Sequence, residues 1–63
     1  MNPLLLTKID GKQVVIDIDR VITFEELPND QVRVSLAAGN GVLTFTVVET
    51  MAAVVKAISD DAS

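Results

Sequence analysis

Gln31-Val32-Arg33-Val34-Ser35-Leu36-Ala37-Ala38-Gly39-Asn40-Gly41-Val42-Leu43-Thr44-Phe45-Thr46-Val47 decides how the chain folds. From Gln31 to Ala37, Val32, Val34 and Leu36 fall on one side and Arg33 and Ser35 on the other. A period of two is the signature of a strand with one face buried. Ala38-Gly39-Asn40-Gly41 supplies the glycines that a chain reversal needs. Val42 to Val47 then alternates again, with Leu43, Phe45 and Val47 opposite Val42, Thr44 and Thr46. Thr and Val suit a half-buried pleated surface. The stretch therefore predicts two antiparallel strands joined by a tight turn.

The same period runs upstream. Val21 to Leu27 groups Ile22, Phe24 and Leu27, and Pro28-Asn29-Asp30 closes it with turn residues. Gln13 to Ile18 sets Val14, Ile16 and Ile18 against Val15 and Asp17, with a corner at Asp19-Arg20. Leu4 to Ile9 precedes it across Asp10-Gly11, a pair that predicts a two-residue type I′ turn with positive φ at both positions. Past Val48 the period changes. Met51, Val54, Val55 and Ile58 fall at i, i+3, i+4 and i+7, one stripe of an amphipathic helix. Ala52, Ala53 and Ala57 raise helix propensity, and Glu49 near the start suits the helix dipole. Asp60 and Asp61 oppose the dipole at the other end, which predicts a frayed acidic tail.

These runs predict an α+β fold in a single domain over 1–63. A small antiparallel β-meander of about five short strands lies within 4–47. A C-terminal helix covers about 49–59, and the acidic tail is 60–63. A chain of 63 residues is small for a core of its own. With no Cys and no His, neither a disulfide nor the commonest transition-metal ligand can reinforce it. Hydrophobic residues nonetheless make up 49% of the chain, and the mean hydropathy is +0.44. One helix covers one face of a sheet, yet Leu4, Leu5, Leu6, Val14, Val15 and Ile16 are apolar on both faces. The imbalance predicts self-association as a homodimer or higher oligomer, with Leu5, Val15, Ala53 and Ala57 as interface residues.

Charge narrows the partners. The net charge is −4, and the cations Lys8, Lys12, Arg20, Arg33 and Lys56 are scattered, which argues against nucleic acid and anionic membranes. No apolar run reaches the roughly 20 residues of a membrane span. The opening Met1-Asn2-Pro3-Leu4-Leu5-Leu6 has no basic region ahead of its apolar residues, so a cytoplasmic protein is expected.

Candidates for chemistry have simpler readings. Asp17 with Asp19 and the Glu25-Glu26 pair could hold a divalent cation, but such charges also keep an outer face wet. Gly39-Asn40-Gly41 lies between strands rather than ahead of a helix, so it reads as a hairpin and not a phosphate cradle. Ser35 has no His to act as its base, and Lys8 and Lys12 flank a solvated turn. Phe24 and Phe45 fall at inward positions, where they serve a core rather than stack on bases. No enzyme, cofactor or metal is expected.

Leu6-Thr7-Lys8-Ile9-Asp10-Gly11-Lys12 resembles the opening of the small flagellar FlbD proteins, also called SwrD swarming-motility proteins. Glu25-Glu26 before Leu27-Pro28-Asn29-Asp30, the strand Gln31 to Leu36, and Val47-Val48-Glu49-Thr50 ahead of a Val-rich helix follow that family's order. The likeness spans about residues 4–58. It implies a small accessory or regulatory protein acting by protein–protein binding in flagellar motility, and it brings no catalytic residue with it. Two other readings remain open: a phage-encoded inhibitor of a host protein or defence system, and an oligomer with a small-ligand pocket at its interface.

Overall fold

The computed structural model describes residues 2–62. Five antiparallel strands are followed by one helix: β1 (Pro3–Thr7), β2 (Gln13–Asp17), β3 (Val21–Glu26), β4 (Val32–Ala38), β5 (Gly41–Val47) and α1 (Met51–Ala62). The expected α+β architecture is present. The strands do not form one continuous meander, however. β1 and β2 make a two-stranded sheet, and β3, β4 and β5 a three-stranded one.

The break lies between β2 and β3. Ile18–Arg20 forms a 3-10 turn whose cap is Asp17, its carboxylate accepting from the Asp19 N–H at 3.1 Å. That turn redirects the chain before β3 can pair with β2. The sheets meet again at a corner through a bridge between Lys8 and Val47. There Val48 N–H donates to the Thr7 carbonyl at 2.9 Å, and Ile9 N–H to the Thr46 carbonyl at 3.3 Å.

Two reversals share one design that the dipeptide Asp10-Gly11 conceals. Lys8 N–H donates to the Lys12 carbonyl and Gly11 N–H to the Lys8 carbonyl, so the loop is Ile9-Asp10-Gly11. Positive φ occurs at Gly11 (88°) and not at Asp10. This corrects the expected type I′ turn: a three-residue loop needs one left-handed residue rather than two, and the glycine takes it. Leu27 N–H to the Gln31 carbonyl and Asp30 N–H to the Leu27 carbonyl repeat the design around Pro28 and Asn29. Here Asp30 occupies the left-handed position, at φ 65°. The β4–β5 loop differs. Positive φ falls on Gly39 (59°) and not on Asn40, the pattern of a type II′ turn.

The core is aliphatic. Leu4, Leu6 and Ile16 come from the hairpin, Val32, Val34 and Val47 from the three-stranded sheet, and Val54 from the helix. Each fully buried side chain of this kind contributes roughly 1.5–3 kcal/mol. Phe24, Phe45, Met51 and Ile58 pack against this cluster half-buried.

Four expectations shift with packing. Ile22 is exposed, because the register slips between Val21 and Thr23 and the bulge turns it outward. Leu43 is 51% exposed although it lies opposite Leu36 on the inner face. In the helix stripe Val55 is 53% exposed, while Ala57 packs against the core. The helix also continues through Asp60 and Asp61 to Ala62 instead of fraying at Ser59; Ser63 lies outside the described residues.

Candidate interaction surface

The register of the hairpin places Leu5 directly opposite Val15. Their neighbours Leu4, Leu6 and Ile16 point into the core, so strand alternation turns Leu5 and Val15 the other way. They are 55% and 63% exposed. Cross-strand neighbours of this kind stand about 4.5–5.5 Å apart at Cβ, so they present one joint apolar surface. Two of the four expected interface residues are thereby brought together. Ala53 is exposed on the helix, where its N–H donates to the Thr50 hydroxyl at 3.2 Å and caps the first turn. Ala57 is half-buried against the protein's own core.

The hairpin also differs in how its edges are finished. The bonded pairs Lys8–Lys12 and Ile18–Asn2 fix the phase of the β1–β2 ladder. In that phase Gln13, Val15 and Asp17 aim their backbone groups away from β1, and Thr7 and Leu5 aim theirs away from β2. Thr7 is engaged on that outer side. Its N–H donates to both carboxylate oxygens of Glu49, at 2.9 and 3.0 Å, and its carbonyl accepts from Val48. Pro3 brings no N–H to the same edge. The edge of β2 carries no proline, glycine, lysine or bulge, and among the described residues no backbone hydrogen bond reaches the outward groups of Gln13 and Val15. At its end the Asp17 carbonyl opens the 3-10 turn Ile18–Arg20.

Beside β2 opens a cleft of about 350 Å³. Val14, Ile16, Leu36, Leu43 and Phe45 give it an apolar lining, with Asp17 and Arg20 among its walls. The exposure of Leu43 follows from this cleft. The signal available in the sequence was length, since five hairpin residues on each side cannot cover strands of seven.

The remaining candidates resolve into local structure. Asp17 accepts from the backbone of Asp19 and of Asn2, and Asp19 accepts from the Asn2 amide at 3.4 Å. Glu25 pairs with Arg33 at 2.9 Å. Lys8 lies 3.9 Å from Asp10. Ser35 shares a hydrogen bond with Thr44 at 3.3 Å. Among the described residues no group of three or more acidic side chains stands where it could hold a metal ion. No helix among them is long and apolar enough to cross a membrane. No family model, curated protein or solved structure matches the chain.

Proposed function

We propose that this chain is a small non-enzymatic accessory protein that works in the cytoplasm by protein–protein contact, through the hairpin β1–β2. One observation carries the reading: Leu5 and Val15 form a paired apolar surface on the side of the hairpin that its own core does not use. Exposed paired aliphatics on a strand are a liability unless something covers them. Association with itself and with a further protein are both consistent with such a surface, and an acidic chain without a basic stripe does not suit nucleic acid.

The likeness of Leu6 to Lys12 and of the later turns to FlbD and SwrD proteins supplies a setting, flagellar motility. Complementation tests it in the source organism. Loss of the gene should lower swarming, wild type should restore it, and Leu5→Asp with Val15→Asp should not. Normal swarming without the gene would remove the motility setting. Binding is tested apart from motility, by affinity capture with the wild-type and doubly substituted chains. Identical recovered proteins from both would overturn the hairpin as the binding surface.

A second reading has the cleft beside β2 as its support: a small apolar ligand held by Leu36, Leu43 and Phe45. Thermal stabilisation by an apolar compound, lost in Leu43→Asp, is its expected signature.

A further inference from the structure

We infer that the free edge of β2 pairs with the β2 edge of a second copy of this chain, antiparallel and about a twofold axis at Val15. The inference rests on the binding reading above and specifies which surface meets which partner.

Three observations lead there. The first is the contrast between edges. β1 is closed at Thr7 by Glu49 and Val48 and lacks a donor at Pro3. β3 is interrupted by the bulge between Val21 and Thr23 and carries Glu26. These are devices by which edge strands avoid pairing, and of them β2 has only a charge, Asp17, at its end.

The second is self-complementarity. With Val15 facing Val15 of the second copy, Val14 faces Ile16 and Gln13 faces Asp17. Every position meets its own kind, and no carboxylate faces a carboxylate. Gln13, Val15 and Asp17 are also the residues whose N–H and C=O groups point outward, so this register uses them on both strands, the Asp17 carbonyl through the lone pair that the 3-10 turn leaves over. A contact of this kind is isologous and closes after two subunits.

The third is charge beyond the strand ends. Antiparallel pairing brings the start of one β2 beside the end of the other. Lys12, just before Gln13, then lies opposite Ile18 of the second copy, the residue between Asp17 and Asp19. In a chain of net charge −4, that is attraction at a surface that would otherwise repel its copy. A strand seated there also lies across the mouth of the cleft and covers Leu43.

The experiment is sedimentation equilibrium of the full chain from low micromolar to millimolar concentration, with hydrogen exchange on the same samples. The expected mass is twice the 6.7 kDa of one chain, and the amides of Gln13, Val15 and Asp17 should gain protection as the dimer forms while that of Leu5 stays fast. Val15→Pro removes an amide that the β1–β2 ladder does not use, so it should leave a folded monomer. Lys12→Glu should weaken association at least tenfold, and Lys12→Glu combined with Asp19→Lys should restore it. A 6.7 kDa species at every concentration overturns the inference. So does a dimer in which the Val15 amide exchanges freely, since that result points to packing of the outer face without edge pairing. Neither result touches capture of another protein through Leu5, which stands or falls on its own assay.

Discussion

Where the hairpin shows Leu5 beside Val15, the outer face of the three-stranded sheet shows Glu25 bonded to Arg33 and Ser35 bonded to Thr44. Both sheets give their inner faces to one core. One outer face satisfies polar groups with its own cross-strand neighbours, and the other sets Leu5 and Val15 at its centre with Thr7, Gln13 and Asp17 toward its ends. A sheet can face water on one side when that side alternates to polar residues. β4 obeys this rule with Arg33 and Ser35, while β1 and β2 break it at Leu5 and Val15. The difference is between a face with cross-strand polar pairs and one with an exposed aliphatic pair at its centre.

The sharpest way to break the comparison is within a single strand. Leu6→Ala should cost about 3 kcal/mol, since it opens a cavity in the core that Leu6 shares with Val47 and Val54. Leu5→Ala, one residue away, should leave monomer stability within about 0.5 kcal/mol. Urea midpoints of both variants test this. Equal losses would mean that Leu5 is packed rather than presented.

Next in size is the clasp that joins the two regions. Glu49→Ala strips the Thr7 N–H of a charged acceptor and should cost about 1–3 kcal/mol. Thr7 amide exchange should quicken with it. Unchanged exchange would show that the clasp does not secure the β1 edge.

The paired turns allow a smaller contrast. Gly11→Ala places a side chain at φ 88° and should destabilise the hairpin by about 1 kcal/mol. Asp30→Gly relieves the same strain at φ 65° and should raise the thermal midpoint. Opposite signs are expected from one turn design occupied by different residues.

The smallest effect belongs to the polar face. A double-mutant cycle on Glu25→Gln and Arg33→Gln should give a coupling of about 0.2–1 kcal/mol, because both partners stand in solvent. It should shrink further in high salt.

Alternation made much of this legible beforehand. Leu4, Leu6 and Ile16 must point opposite to Leu5 and Val15 in any strand, so the outer apolar pair could be named from the chain alone. Phe24 and Phe45 were likewise placed inward, and they are half-buried against the core. Ala57 and Val55 were not separable in this way. Both lie on an apolar side of the helix, and only the angle at which α1 meets the sheet decides which of them packs. Ile22 failed for another reason: a bulge changes the count of residues, and alternation has no term for it.

The order of residues determined by itself that strands would precede a helix, where the chain would reverse, and that aliphatic surface would exceed what 63 residues can enclose. Those are local matters of period, turn chemistry and composition. Tertiary structure alone decided that the strands divide into two sheets, that Glu49 would clasp Thr7, that Leu43 would border a cleft, and that β2 would keep its edge bare. Each depends on which distant segments meet, and backbone pairing between them leaves no periodic trace in the chain.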